Sequence, residues 1–426
     1  MCDVLVAVGA EAADGVTLFG KNSDRKSGEC QPLVQFAEAS HPADATVRCS
    51  NIEIPQVAES YGVLGHSPWW VWGFEHGVNE HAVAIGNLQV FSNETVEAKP
   101  GLIGMDLVRL GLERGRSARE ALEVIATLLE SHGQGGAATA PGGKGYHNGF
   151  LLADPKEAWI LETSNRHWVA RRTSLGNSSN HIALTDDWEI SSRDFESFAR
   201  GAGWWRNTGR VNAAAAYRDR AVPASISDRR YRRAQQLLQL SSGRHDVAGF
   251  ASMLRDHLAE EGLWPPREGD AEAFCANLCA HSSPISWTTA SMVAPLPSET
   301  DSAWPVWVSF GTPCTGIFLP VYIDAVIPAT FARGGESDSD DSAWWVFQRL
   351  DDAASADSAR HGPVLREGWA DLEAAIESER AGVESTADAE TAAGRRDHAA
   401  AVLSDFMQRN ADASLQRACE LTEQLG

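Results

Sequence analysis

Lysine is scarce in this chain. Only Lys21, Lys26, Lys99, Lys144 and Lys156 are present, so 31 of the 36 basic residues are arginine. Acids outnumber bases by 58 to 36, and the net charge is −22. A surface of that sign repels phosphates and anionic lipid, which argues against nucleic-acid and membrane partners. Acid excess with little lysine fits a high-salt cytoplasm, although GC-rich codon bias accounts for the arginine preference equally well. Long apolar runs are missing too: no segment approaches the roughly 20 residues of a membrane span. Met1 to Ala10 has no basic n-region, and Asp3 and Glu11 come early, so no secretory signal is expected. Seven cysteines, an odd number scattered over 426 residues, make no disulfide framework. The expected compartment is the reducing cytosol. G-x-G-x-x-G, P-loop and H-E-x-x-H motifs are absent, so no cofactor and no metal are expected. No internal repeat of 20–50 residues is found. A homo-oligomer is compatible with everything above.

What the chain does have is a cysteine at position 2. Removal of Met1 would place a thiol and a free α-amine on one carbon. An α-amine titrates near 7.7–8.0 in general, close enough to neutrality to accept a thiol proton. Nucleophile and base then reside in one residue.

Hydrophobic content of 43% supports a substantial core, and fifteen tryptophans serve as core or pocket walls. Short strands are expected at Val4–Val8, Val16–Gly20, Leu33–Phe36, Ile52–Val57 and Ala82–Gly86. Met105–Arg114 has helical spacing, Gly115 breaks it, and Ser117 with Glu120 forms a capping box for a second helix running to about Leu129. A glycine-rich loop, Gly133–Gly145, separates these helices from strands at Gly149–Ala153, Ala158–Glu162 and Trp168–Arg171. Ile190–Ile226 reads as a polar, irregular surface insertion. Arg230–Leu240 and Val247–Leu258 read as helices, and Ser291–Ala294, Trp304–Phe310 and Gly316–Pro320 as strands. The charged run Gly334–Ser342 marks a boundary. The expected division is a catalytic domain over 1–333 and a helical C-terminal extension over 343–426, with Ala354–Arg360 and Ala387–Arg396 as candidate loops. The order suits an α+β chain, sheets covered by helices rather than a βαβ alternation.

Four segments bear on chemistry. Cys2 opens the first strand. Lys21-Asn22-Ser23-Asp24-Arg25 ends a hairpin that could return Asp24 to Cys2. There a carboxylate holds the amine, and Lys21 lowers the thiol pKa or grips a substrate carboxylate. Read alone, the segment is a charged hairpin end. Trp69-Trp70-Val71-Trp72-Gly73-Phe74-Glu75-His76 leads to Gly86-Asn87, where an amide either donates to an oxyanion or caps a turn. Asn180 and Arg230 come later, with Arg229 and Arg232 as neighbouring alternatives.

These segments resemble the dipeptidase/secernin family of N-terminal-nucleophile cysteine hydrolases. The motifs are Met1-Cys2-Asp3, Gly20-Lys21-Asn22-Ser23-Asp24-Arg25, Ile54-Pro55-Gln56, Gly77-Val78-Asn79-Glu80, Ala84-Ile85-Gly86-Asn87, His147-Asn148, Leu161-Glu162-Thr163, Ser179-Asn180, Ala290-Ser291-Met292-Val293 and Thr312-Pro313-Cys314. They run in order from Met1 to about Pro320. The resemblance implies an αββα sandwich and a site of Cys2 as nucleophile, Asp24 orienting the amine, Asn87 and Asn180 around oxyanion and amine, and Arg230 as a charged support. A more distant bile-salt hydrolase and penicillin V acylase group has arginine where Lys21 stands. Leu88 replaces an acid common after Gly-Asn, which bears on substrate preference.

The implied function is cysteine dipeptidase on small peptides. The alternatives are an acylase on non-peptide amides, and a non-enzymatic interaction protein using the acidic helical tail. Cys275 and Cys279, with His281 beyond, make at most half a metal site and read as structural cysteines. Cys314 reads as core. His66, His76 and His81 flank the tryptophan-rich segment as cleft or turn residues.

Overall fold

The computed structural model describes residues 1–97, 99–223, 226–258, 277–283 and 286–426, with backbone alone at 281–283. Strands β1 (Cys2–Ala7) and β2 (Thr17–Arg25) form a hairpin that sets Cys2 opposite Ser23 and Val4 opposite Lys21. β3 (Leu33–Phe36) follows. β4 (Ala39–Ser40), β5 (Thr46–Arg48), β6 (Glu53–Pro55) and β7 (Glu59–Ser60) pair as two small ribbons, β4 with β7 and β5 with β6. β8 (Val63–His66), β9 (His76–Asn79) and β10 (Ala84–Val90) lead into α1 (Gly104–Arg114) and α2 (Ala118–His132). β11 (His147–Ala153), β12 (Ala158–Ser164), β13 (His167–Thr173), β14 (Leu175–Ser178) and β15 (Ile190–Ser191) come next, then α3 (Phe195–Gly201), α4 (Ala213–Tyr217), α5 (Asp228–Leu240) and α6 (Val247–Leu254). β16 (His281–Ser283), β17 (Ser286–Leu296), β18 (Val306–Phe310) and β19 (Leu319–Val321) precede α7 (Ala329–Ala332), α8 (Ala343–Ser355), α9 (Ser358–Ala392) and α10 (Arg396–Leu425).

Two antiparallel sheets result. One has the order β14-β1-β2-β17-β18-β19 with β16 beside β17, and the other β15-β13-β12-β11-β10-β9-β8-β3. Alternation along the strands decides the layers. Val4, Val6, Phe19 and Met292 of the first sheet meet Ala84, Leu88, Leu151 and Ile160 of the second in one core. The opposite faces carry Leu5, Leu18 and Val293 against Leu238, Phe250 and Leu254 of α5 and α6. Ile85, Phe150, Leu152 and Leu161 lie against Leu107, Val108, Leu122 and Ile125 of α1 and α2. The central strands bury both faces, so the architecture is a four-layer αββα sandwich.

β2 runs five residues past the expected end at Gly20. The segment from Lys21 to Arg25 is polar enough to read as a turn. It is held as strand because β1 and β17 pair with it on both sides. The segment expected as an irregular insertion contains α3 and α4 and buries Phe195, Ala199, Val211 and Tyr217. Phe195 and Tyr217 stack at 4.5 Å, and Trp188 donates to Val211 O at 2.9 Å. Its apolar residues are too thinly spread to show a period. Ser117 caps α2 by accepting from Glu120 N at 3.2 Å, while Glu120 reaches Arg116 N, one residue before the cap. The second expected helix of the pair ends at Leu254 rather than Leu258.

The tail is helical. It breaks at Ala356–Asp357, as expected, but α9 continues to Ala392 and the second break is confined to Ala393–Arg395, where Gly394 has φ +76°. Trp344, Phe347, Leu365, Trp369, Phe406 and Met407 join the same apolar cluster as the inter-sheet core. Among the described residues, no helix is long and apolar enough to cross a membrane.

Trp369 is fully buried, stacks on Phe347 and donates to Thr315 O at 2.8 Å. Trp369→Ala is expected to cost about 3–5 kcal/mol in denaturant unfolding followed by far-UV circular dichroism. A loss below about 1 kcal/mol would show that α9 does not share the core.

Candidate active site

Cys2 heads β1 and is 4% exposed. Its backbone N–H donates to Asn180 Oδ1 at 2.8 Å, and its carbonyl accepts from Arg230 at 3.2 Å. The Met1 ammonium donates to the carbonyl of Asp24 at 2.8 Å. Asp24 is buried, and its Oδ1 accepts from Thr288 Oγ1 at 2.7 Å. Burial raises its carboxyl pKa, with the terminal ammonium and Arg230 opposing.

Arg230 ties these groups together. It projects from α5, is 1% exposed, pairs with Asp3 Oδ2 and donates to Asn180 Oδ1 at 2.7 Å. It also approaches Asp24 Oδ2 at 3.9 Å. Burial pushes Asp3 up to about 6 against the pull of Arg230. Asn180 turns its nitrogen away, donating to Gln89 O at 2.8 Å. Its oxygen therefore faces the nitrogen of Cys2 and its donors do not. The structure brings Arg230, rather than Arg229 or Arg232, to the carbonyl of Cys2.

Lys21 extends into the space between the sheets and is fully buried. Its ammonium donates to Glu75 O at 2.5 Å, Glu75 Oε2 at 3.1 Å and Asn87 Oδ1 at 3.3 Å. The Asn87 nitrogen faces Asn148 Oδ1 at 3.2 Å; turned over, it would meet Glu75 O at 2.9 Å and Oε2 at 3.0 Å. Gly86 leaves room for this. A Cβ there would lie 2.7 Å from Lys21 Cδ. Burial alone would raise Glu75, but Lys21 and Arg25 overcome it and hold the carboxyl below its ordinary value. Arg25 reaches Glu75 Oε1 at 3.3 Å, Glu29 Oε1 at 2.8 Å and the Tyr146 hydroxyl at 3.2 Å. Burial raises the Cys2 thiol pKa; Lys21 works against it and Glu75 with it.

The six expected residues fall into two bonded groups, Cys2, Asp24, Asn180 and Arg230 in one and Lys21 with Asn87 in the other. Sequence reading did not assign Asp3, Arg25, Thr288 or Asn148, and gave Glu75 no role. An acid beside a tryptophan cluster was a usable signal for Glu75; nothing local marks Thr288. Trp70 is half-buried and donates to Glu29 at 3.3 Å, and Trp72 lies 4.0 Å from the Arg109 guanidinium. His66 and His76 are a buried pair joined at 2.9 Å. Burial, with Lys21 adding to it, lowers His66 to about 3. Cys275 and the His281 side chain lie outside the described residues.

A buried cysteine at the head of a sandwich strand, held through its own nitrogen, marks the N-terminal-nucleophile class of hydrolase fold. The chain belongs to peptidase family C69, whose sequence profile matches residues 2–236. It is 29% identical over 199 residues to a dipeptidase of Bifidobacterium longum strain NCC 2705, covering 40% of this chain and 35% of that one. It is 28% identical over 189 residues to a probable dipeptidase B of Lactococcus lactis subsp. lactis strain IL1403, covering 39% and 36%. The chain thus spans about a third of the length of these relatives. Among solved structures it is similar to a conjugated bile acid hydrolase of Clostridium perfringens (14% identity, TM-score 0.42, 73% of this chain and 89% of that one). It is also similar to penicillin V acylase of Agrobacterium tumefaciens (14% identity, TM-score 0.43, 75% and 86%).

Glu162 holds the strand end that carries Asn180, accepting from Ala183 N at 2.7 Å and Leu184 N at 2.9 Å. Burial raises its carboxyl from 4.5 to about 7. The folded value exceeds the unfolded one, so its contribution to stability is present below about pH 4.5 and is lost as pH rises through about 7. Glu162→Gln should flatten the fall in unfolding free energy between pH 5 and 8; an unchanged slope would assign the fall elsewhere. Gly86→Ala should displace Lys21 and lower stability by about 1–3 kcal/mol in urea titrations. A neutral result would mean that Lys21 is free to move.

Proposed function

We propose that this chain is a cysteine dipeptidase whose nucleophile is the thiol of Cys2, exposed by removal of Met1. One observation carries the reading: the nitrogen of Cys2, now a peptide nitrogen, is already seated on Asn180 Oδ1 at 2.8 Å. Without Met1 the same nitrogen is an amine held beside its own thiol. It then takes the thiol proton as sulfur attacks the carbonyl of a small peptide, and returns that proton to the leaving amine. Water cleaves the thioester, and the amine accepts the water proton in turn.

The other residues take roles that follow from their contacts. Asn180 and Arg230 fix the terminus. Asp24 accepts from the terminal ammonium through its backbone carbonyl, and its carboxylate balances the charge of that ammonium and of Arg230. Lys21 lies close enough to the thiol to offset the cost of a buried thiolate. Asn87, released from Asn148, would turn its amide to the developing oxyanion, a donor worth about 10²–10³ in rate at comparable sites. Peptide or amide substrates fit a site with both acids and bases to receive charged ends. The acidic surface argues against nucleic acid as a partner.

The test is wild type against Cys2→Ala on a dipeptide panel and a panel of N-acyl amino acids, in low and in molar salt. Intact mass is recorded alongside. The expected result is a wild-type chain lacking Met1 that cleaves dipeptides, and a variant slower by at least about 10³-fold. A retained Met1 in active protein would overturn the mechanism. Cleavage of N-acyl substrates alone would transfer the reading to an acylase, and turnover unaffected by Cys2→Ala would favour a non-enzymatic scaffold.

A further inference from the structure

Behind the first sheet, away from the Cys2 thiol, three segments remote in sequence converge. His257 follows α6, Cys279 precedes β16, and Cys314 lies in the turn after β18. One ligand atom from each lies within 4.8 Å of the other two. Cys279 is fully buried. His257 and Cys314 are half-buried and line a cavity of about 410 Å³ together with Arg255, Ser355 and Arg366. Neither cysteine is in a disulfide.

The backbone that presents these groups is braced by other residues. Thr312 and Thr315 both donate to Asp351 Oδ1, at 2.5 and 3.2 Å, which fixes the turn around Cys314. Arg233 grips Asp256 through two bonds of 2.9 and 2.7 Å, which fixes the residue before His257. The N–H of Cys279 donates to Asp256 O at 3.2 Å and joins the two segments directly. Leu258 is buried with φ +51°, a left-handed conformation that a branched residue adopts only when its surroundings impose it. That strained residue is adjacent to His257.

We propose that His257, Cys279 and Cys314 bind one zinc ion. Two sulfurs and one imidazole nitrogen suit a borderline-soft cation and offer nothing to magnesium or calcium, which require oxygen. On binding, both thiols release their protons to solvent. Two thiolates and a neutral imidazole cancel the charge of Zn²⁺, so the unit enters the interior without net charge. Sulfurs about 2.3 Å from a tetrahedral ion stand about 3.8 Å apart, so the three groups need close in by only about 1 Å. The ion would clip α6, the entry to β17 and the exit of β18 to one another. Ala280, next to Cys279, donates to Thr288 Oγ1 at 2.9 Å, and that hydroxyl donates to Asp24. The clip therefore stiffens the support beneath Asp24 while taking no part in the chemistry at Cys2.

The full-length protein, stripped with chelator under reductant, is titrated with Co²⁺ and then Zn²⁺. One equivalent of cobalt should produce a thiolate-to-metal charge-transfer band and the visible bands of tetrahedral cobalt; zinc should abolish both and raise the melting temperature. Cys314→Ser and His257→Ala, each with native circular dichroism, should weaken zinc binding at least about tenfold. Cys2→Ala should keep the bands, separating this site from the chain terminus. The proposal is overturned if wild type gives no charge-transfer band, if Cys314→Ser binds cobalt and zinc as tightly as wild type, or if the band disappears in Cys2→Ala.

Discussion

Cys2 pairs through its backbone with Ser23, and the side chains that bond its N–H and its carbonyl are Asn180 and Arg230. Arg230 comes from the outer helical layer, so a guanidinium crosses from α5 to meet the carbonyl of Cys2, the carboxylate of Asp3 and the amide of Asn180. One planar group with five donors can satisfy three differently placed acceptors, where an ammonium could not match the geometry. The first strand, the fourteenth strand's exit and a helix are locked by the same contact. Removing it would loosen the terminus in the very region where its nitrogen has to be placed.

The interior between the sheets carries more charge than its apolar walls would suggest. Lys21, Glu75, Arg25 and Glu29 form a nearly neutral chain of ion pairs there, and Asp3, Asp24 and Arg230 form a second on the face towards α5. Buried pairs of this kind recover little net stability against their desolvation. They are better understood as setting the electrostatic conditions at the thiol. A positive Lys21 and a negative Glu75 act on it in opposite senses, so a small displacement of either would change its readiness to ionise.

Much of the architecture was legible from alternating strands, from the amphipathic pair α1 and α2, and from motif order. The positions that escaped did so for physical reasons. The polar run from Lys21 to Arg25 is strand because partners on both edges pair its backbone, a fact of tertiary structure that local polarity contradicts. Thr288 serves Asp24 across 264 residues, and no spacing rule reaches that far. Phe195 and Tyr217 build a small aromatic core within a stretch whose composition resembles a loop. Cys279 meets Cys314 and His257 from other segments of the chain, a convergence that no sequence spacing marks.

The single interior lysine has a bearing on how this chain has come to be composed. With 31 arginines against 5 lysines, arginine is the default cation, and Lys26, Lys99, Lys144 and Lys156 are all exposed. Position 21 resists that default. Gly86 leaves its methylenes room, since a Cβ there would stand 2.7 Å from Lys21 Cδ, and the ammonium ends on a carbonyl, a carboxylate and an amide oxygen. A missing side chain on one sheet thus makes the space through which a cation of the other meets its acceptors.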